Sequence, residues 1–366
     1  MNSSLHNIES LLQQLNDLYA AIRKRDLNSS IILKEKIDLH FDEFQKNSDL
    51  ALHYHLIHFR YNFLLDNFNI SKDSFDVIDT FDIPLTGILG YYYTFFKAIY
   101  FNAVGNYIEG KAYFYKAKEL LHDVPDELEY AEFHYMLAIS LYDNFESLLG
   151  IKEVLVSKKV FLKNDTFETN VAFCNNLLGL MCTDLKNYEL AADFYYEALH
   201  TFQKLNEENW ILMVQQNLGF MYSEQELTEQ SLHYLSKVNK KVLNNYKVLF
   251  VEAKELFKLG KNADALDCIE RGVHICKSLH HEEYLHHFNI LQAFVLDLPG
   301  IEIEEIILKG KLYFEKQNLT AYNQRYFEQL AHKYKQENEY FKSCECYSLS
   351  YNYAKQTNKK EVLSCK

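Results

Sequence analysis

Four histidines in the segment HHEEYLHH could hold a metal ion, because imidazole nitrogens are common zinc ligands. They are His280, His281, His286 and His287. On a helix, His281 and His286 are five positions apart and lie on different faces. The i, i+4 histidine pair with a carboxylate that a zinc enzyme uses is missing. We therefore expect a solvated helix start here and no metal site.

The rest of the chain carries no recognisable catalytic motif. Gly105 and Gly110 stand alone, so no glycine-rich phosphate loop is present, and no G-x-S-x-G turn occurs. His55 and His58 could share a helix face, but no carboxylate lies at ligand spacing between them. Together with His53, they are expected to be surface or interface histidines. The sequence therefore predicts no cofactor.

The elements that would position any site are expected to be helices. The chain has 366 residues, a net charge of −13 and an aromatic content of 15%. It has only 3 prolines and 11 glycines, the residues on which turns depend, and this scarcity predicts an all-α fold. The acidic balance argues against nucleic acid as a partner and favours a basic partner or peptide. No apolar run approaches the roughly 20 residues of a membrane span.

The cysteines indicate the compartment. There are seven, an odd number, and no C-x-x-C pair occurs. Cys182 falls where a tightly packed residue is expected, so we predict buried free thiols rather than disulfides or metal ligands. The first twenty residues are polar and lack the basic and apolar regions of a secretory signal. These features predict a cytoplasmic protein.

An internal repeat runs through most of the chain. A tetratricopeptide hairpin has small residues at positions 8 and 20 of its repeat, where its two helices touch. Six windows show small residues with this offset of 12. The pairs are Ala98 and Gly110, Ala138 and Gly150, Gly179 and Ala191, Gly219 and Ser231, Ala253 and Ala265, and Ala331 and Ser343. With a looser hairpin over 282–318, they predict a right-handed superhelix of about seven hairpins.

The N-terminal part does not follow the repeat. Its apolar spacing predicts three helices, at about 5–24, 29–46 and 49–67, with Asn28 and Asp49 as N-caps. We predict a three-helix bundle over 1–68, a linker over 69–84 and a repeat domain over 85–366. The aromatic segment 90–101 is expected to pack in the core of the first hairpin, the alternative being a contact surface for a partner or for the bundle.

Four segments of this outline resemble the Rap family, the response regulator aspartate phosphatases and related regulators of Gram-positive sporulating bacteria. They are LNDLYAAIRK (15–24), SDLALHYHLIHFRYNFLLD (48–66), LTGILGYYYTFFKAIY (85–100) and KAKELLHDVPDELEYAEF (116–133). The resemblance covers nearly the whole chain. It implies a cytoplasmic quorum-sensing regulator whose N-terminal bundle binds a response regulator and whose repeats bind a short signalling peptide that re-enters the cell. The resemblance further implies that peptide binding folds the bundle into the repeats and releases the regulator.

The resemblance also suggests a peptide site. The family's peptide-contacting Asn and Asp fall on Asn217 and Asp184. Repeat position places both on the concave, first-helix side of their hairpins. An amide can both donate to and accept from a peptide backbone, and a carboxylate suits a basic ligand side chain. Asn176, Gln216 and Tyr142 are expected to contribute by position.

The sequence departs from the family's catalytic pattern at one residue. In the family's phosphatases, a Gln beside the regulator's phosphoaspartate orients the attacking water, and its position here is Ser48. A Ser hydroxyl is shorter and cannot both donate and accept through a planar amide. The resemblance places Asp49, Leu50 and Tyr54 beside it on the regulator-binding surface.

Three hypotheses therefore stay open. The first is a peptide-controlled inhibitor that sequesters a response regulator. The second is an aspartyl-phosphate phosphatase of a sporulation phosphorelay, active despite Ser48. The third is a generic repeat scaffold for a partner protein's tail. A DNA-binding activator is disfavoured, because the N-terminal segment has no basic recognition helix.

Overall fold

A computed structural model describes residues 2–66, 70–124, 126–239, 241–242 and 245–364. These residues form helices joined by short turns, with no strand among them. The chain divides into two compact units. Unit 1 comprises Met1–Asn144 with Gly150–Cys174, and unit 2 comprises Phe145–Leu149 with Asn175–Lys366.

The N-terminal helices, the first hairpin and the helix after it belong to unit 1. Their bounds are α1 Asn2–Arg23, α2 Leu27–Asp38, α3 Phe41–Phe44, α4 Ser48–Leu65, α5 Gly87–Ala103, α6 Tyr107–Leu120 and α7 Glu127–Asp143. The remaining helices are α8 Ser147–Phe161, α9 Glu168–Asp184, α10 Tyr188–Lys204, α11 Glu208–Glu224, α12 Thr228–Asn239, α13 Tyr246–Lys258, α14 Asn262–Ser278, α15 Glu282–Val295, α16 Gly300–Lys316, α17 Thr320–Gln336 and α18 Tyr340–Ser364. From α5 onward they pair into seven hairpins. The predicted fold class is confirmed, including the hairpin over 282–318.

The N-terminal bundle differs in detail from the prediction. The expected middle helix is broken into α2 and α3, and the break lets Phe44 bury completely against Tyr54. The predicted N-caps are wrong. Asp26 caps α2 by accepting from the Ser29 amide, and Asn47 caps α4 by accepting from the Leu50 amide. Both caps come earlier than expected because the helices begin earlier.

Unit 1 has an aromatic core shared by the bundle and the first hairpin. The ring of Tyr19 on α1 packs edge-on against Tyr92 on α5, with 5.2 Å between centroids. Phe95 and Phe96 of the same segment are fully buried, which confirms that residues 90–101 contribute to the core. The functional division at 68 and 85 stays a prediction, and its boundary residues 67–69 lie outside the described chain.

The segment between bundle and hairpin is anchored by its apolar residues. Residues 70–86 contain one 3₁₀ turn, Ile78–Thr80. Phe75 is buried against Phe59 and Tyr100, with ring centroids 5.1 and 5.3 Å apart. The segment is acidic in composition, but the buried ring of Phe75 attaches it to its neighbours through apolar contacts.

The hairpins of unit 2 depend on small residues at the helix crossings. A Cβ atom on Gly179 of α9 would lie 2.6 Å from the ring of Tyr195 on α10, and one on Gly219 of α11 would lie 2.6 Å from Leu235 on α12. Cys182 packs beside this crossing as a buried free thiol, and the other cysteines within the described residues are also free. Cys365 lies outside the described residues.

The histidine-rich segment differs from the expectation of a solvated helix start. His281 begins α15 as its N-cap, but His287 is buried and contacts the Tyr326 hydroxyl at 2.5 Å through Nδ1. Its Nε2 lies 3.8 Å from a carboxylate oxygen of Glu283. Within the described residues, no group of three or more His, Cys, Asp or Glu side chains is arranged to hold a metal ion.

None of the described helices is long and apolar enough to span a membrane.

We predict that Gly179→Val lowers the free energy of unfolding by about 2 kcal/mol, because the added methyl groups overlap the fully buried ring of Tyr195. Urea denaturation followed by circular dichroism measures the change. Asp193→Val places the same side chain at an exposed position of α10 and serves as control. Equal losses in the two variants would mean that the crossing does not limit packing.

Candidate functional site

The predicted peptide-site residues of α9 and α11 meet through a hydrogen bond. Asn217 is 6% exposed, and its Nδ2 donates to Oδ1 of Asn176, also buried, at 2.8 Å. Gln216 is half-buried, and its side-chain oxygen accepts from Nδ2 of Asn245 at 2.5 Å. Asn245 is also the N-cap of α13. We call Asn176, Gln216, Asn217 and Asn245 the amide cluster.

The amide cluster links the first helices of three consecutive hairpins. The Asn176–Asn217 bond fixes the orientation of both amides, because each uses one of its polar atoms for the other. The remaining polar atoms are the second donor and the carbonyl oxygen of Asn217 and the amino group of Asn176. Such groups have the chemistry to bind an extended peptide backbone, which offers alternating donors and acceptors.

Asp184 is placed differently from the two asparagines. It is the last residue of α9, two helical turns beyond Asn176, and it is exposed. Its carboxylate accepts from Oγ of Ser147 at 2.9 Å. Tyr142 lies half-buried on α7 of unit 1.

The short segment before α8 adds a contact to the last hairpin. Phe145 has a φ of 59°, a left-handed backbone conformation that is uncommon for a bulky residue. Its ring packs edge-on against Tyr322 of α17, with 5.7 Å between centroids. Ser147 contacts Asp184 of α9, and Phe145 contacts Tyr322 of α17, so the segment before α8 touches both helices within unit 2.

The sequence analysis missed three charged side chains in unit 2. Glu224 is the last residue of α11, and its Oε1 lies 3.4 Å from Nη1 of Arg325 and 3.7 Å from Nζ of Lys254. Burial by itself would lower the pKa of Arg325, but the carboxylates of Glu224 and Asp184 outweigh it and raise that pKa. The available signal was repeat position, since Arg325 lies one turn before the position equivalent to Asn217.

The predicted regulator-binding residues lie at the start of α4 in unit 1. Ser48 and Asp49 are its first two residues, and both are exposed. Leu50 and Tyr54 are buried. The hydroxyl of Tyr54 donates to Asp38 at 2.8 Å. Ser48 and Asp49 are thus accessible to a partner, whereas Leu50 and Tyr54 are buried in unit 1 and hold the start of α4 in place.

A cluster of buried charges holds α1 and α4 against α7. We call it the arginine–glutamate cluster, and its members are Arg23, Arg25, Arg60, Glu129 and Glu132. Glu132 is 1% exposed and pairs with Arg60 at 2.8 Å and with Arg25 at 3.2 Å. A buried carboxylate needs such partners, because desolvation strongly disfavours an uncompensated charge.

The second carboxylate of the arginine–glutamate cluster is shared by a cation and two phenols. Glu129 is fully buried, and Arg23 contacts it at 3.1 Å. The hydroxyls of Tyr19 and Tyr91 both donate to its Oε1 at 3.0 Å. Burial raises the pKa of Glu129 to about 7, although these partners favour the ionised form. The cluster therefore fixes the bundle helices to the first repeats within unit 1.

Comparison with known proteins finds matches to the N-terminal part and to most of the chain. The family model for the N-terminal part of response regulator aspartate phosphatase H matches residues 6–66. Regulatory protein RapC of Bacillus subtilis (strain 168) is 27% identical, with 99% of both chains covered. Response regulator aspartate phosphatase H of the same strain is 25% identical, with 84% of this chain and 85% of the relative covered.

A solved structure extends the similarity to the fold. The crystal structure of a Rap protein complexed with competence and sporulation factor has a TM-score of 0.85 and 22% identity, and it covers 96% of this chain and 99% of the other. The seven hairpins and the helical N-terminus define a tetratricopeptide-type repeat protein with an N-terminal bundle. Within that class, the chain is similar to the Rap proteins of Bacillus subtilis, in its N-terminal part by the family model and over most of its length by the curated relatives.

We predict that Glu132→Ala lowers the free energy of unfolding of unit 1 by about 3–5 kcal/mol, because it leaves Arg25 and Arg60 buried without their counter-ion. Chemical denaturation measures the loss. Glu127→Ala, on the same helix as Glu132, removes an exposed carboxylate that pairs with Lys163, and it should cost less than about 1 kcal/mol. Similar costs for the two variants would show that the buried pairs do not hold the helices together.

Proposed function

We propose that this protein is a cytoplasmic regulator that binds a bacterial response regulator through α4 of its N-terminal bundle and is controlled by a short peptide bound at the amide cluster. The observation that carries the proposal is the buried Asn176–Asn217 pair. Two amides held at 2.8 Å and nine-tenths buried are oriented in advance for a peptide backbone. The similarity to response regulator aspartate phosphatase H and the accessible start of α4 support the regulator partner.

Sequestration of the regulator is the mechanism that Ser48 favours. The residue is exposed at the first position of α4, where a partner can reach it, but its hydroxyl cannot replace a carboxamide that orients water. Asn47 caps the helix, so its side chain is already engaged with the Leu50 amide. Binding without hydrolysis therefore accounts for the residues present.

A phosphatase is the second candidate. It is favoured by the relatives, one of which is response regulator aspartate phosphatase H at 25% identity. Under this alternative, another group near the start of α4 would orient the water. A generic scaffold for a protein tail is the remaining alternative, and it would show neither peptide control nor preference for a response regulator.

The two main candidates are separated by phosphate loss from a panel of phosphorylated response regulators. We expect wild-type protein to form a stable complex with one regulator and leave its dephosphorylation rate unchanged. Ser48→Gln should accelerate that rate, because it supplies the missing carboxamide, while Ser48→Ala should behave as wild type. Turnover of phosphate by the wild-type chain would establish the phosphatase instead.

The peptide site is tested by Asn217→Ala. We expect this variant to lose at least about tenfold in affinity for a peptide that raises the thermal stability of the wild type, because a buried amide partner is removed. Regulator binding should persist. Asn289→Ala, at an exposed position of α15, is the control for loss of an amide elsewhere in unit 2. An undiminished peptide response in Asn217→Ala would remove the assignment.

A further inference from the structure

One carboxylate in unit 2 is shared by two cations from different hairpins. Arg325 on α17 reaches Glu224 on α11, 101 positions away in the chain, and Lys254 on α13 contacts the same oxygen. Two complete hairpins, α13/α14 and α15/α16, separate α11 from α17 along the chain. The pair therefore joins parts of unit 2 that are not neighbours in the repeat.

Arg325 lies on the face of its helix that corresponds to the face of Asn217 on α11. It is six positions before the small residue Ala331, whereas Asn217 is two positions before the equivalent Gly219. The difference of four residues is about one helical turn, so both positions lie on one side of the first helices. Asp184, at the end of α9, is also among the groups that raise the pKa of Arg325.

The Glu224–Arg325 pair is easily separated. The side chains are 37% and 55% exposed, and a single contact of 3.4 Å joins them, so the pair contributes little to stability. Glu224 also stands at the C-terminal end of α11, where the helix dipole disfavours a negative charge. The fold gains little from having this carboxylate here.

The two cations, in contrast, are stabilised by an anion between them. Lys254 is only 28% exposed, and burial lowers its pKa, which means that its charged form is destabilised without a counter-charge. Removing Glu224 would leave Lys254 and Arg325 facing the same empty position. A planar guanidinium binds a carboxylate best through two parallel hydrogen bonds, which the single contact to Glu224 does not provide.

We propose that Arg325, assisted by Lys254, binds a carboxylate of the peptide ligand, and that Glu224 occupies this place in the unliganded chain. The inference rests on the proposed peptide function and adds to it a specificity-determining residue. On binding, the ligand carboxylate replaces that of Glu224, which turns to solvent, so charge pairing is conserved. The ligand carboxylate is either the C-terminal group or an Asp or Glu side chain.

The test uses three panels of short synthetic peptides, each peptide titrated singly against the full chain by thermal shift. Peptides of the first panel contain no Asp or Glu and have free C-termini. The second panel consists of the same peptides with amidated C-termini. Peptides of the third panel have amidated C-termini and contain one Glu each. The variants are Arg325→Gln and Glu224→Gln. Arg271→Gln is the control, because Arg271 forms an equally long exposed pair with Asp267 on α14.

We expect the two variants to change affinity in opposite directions. For peptides that carry a carboxylate and bind wild type, Arg325→Gln should weaken the affinity by about tenfold, and Glu224→Gln should raise it by about threefold, since it removes the competing carboxylate. Arg271→Gln should leave affinity unchanged. Dependence on Arg325 in the first panel identifies the C-terminal carboxylate, and dependence in the third panel identifies an acidic side chain.

Other outcomes separate this inference from the proposed function. If peptides bind but both variants weaken them alike, the pair is merely structural and the inference is wrong. The same holds if neither variant changes the affinity, or if amidated peptides without Glu depend on Arg325 as strongly as the others. If no peptide of any panel stabilises wild type, the proposed peptide function itself fails.

Discussion

The close approach of paired helices is the constraint on which the repeat hairpins depend. Where α9 crosses α10, the backbone at Gly179 lies against the ring of Tyr195, and where α11 crosses α12, Gly219 lies against Leu235. The space at these crossings does not admit a Cβ atom. The close approach is possible only with the glycine side of each first helix turned toward its partner. This sets the rotation of the first helices, and with it which side chains point in the same direction as Asn217. The amide cluster is therefore a consequence of helix packing as much as of its own residues.

Polar groups serve two different purposes in the two units, and burial distinguishes them. Glu132 is 1% exposed and has two arginine partners, so its charge is locked into the packing of unit 1. Glu224 also has two cationic partners, but it is 37% exposed and stands at an unfavourable helix end. The first arrangement is costly to break, and the second is easily exchanged. This contrast is why we assign a structural role to one cluster and a ligand role to the other.

Errors of the sequence predictions concentrate where local pattern and tertiary packing disagree. Apolar spacing predicts one helix over 29–46, but the burial of Phe44 favours a break, and α2 and α3 result. Asp49 has the residue type of an N-cap, yet Asn47 takes that place because α4 begins one residue after it. His287 belongs to a polar segment, but α17 packs over it and its ring nitrogen meets Tyr326. For Phe44 and His287, a residue farther along the chain decided the outcome, whereas the cap of α4 is a local contact between Asn47 and Leu50.

The sequence by itself determined the helical hairpins, their number and the small residues at their crossings. This is possible because the offset of 12 reflects contacts between helices adjacent in the chain, and short connections leave them little freedom. It also predicted a helix that begins close to Ser48, at about residue 49. Only the tertiary structure decided that Arg325 meets Glu224 and that Glu132 lies between two arginines. Such contacts depend on how several hairpins stack. Small rotations between successive hairpins add up along the stack, and the local sequence pattern does not predict their total.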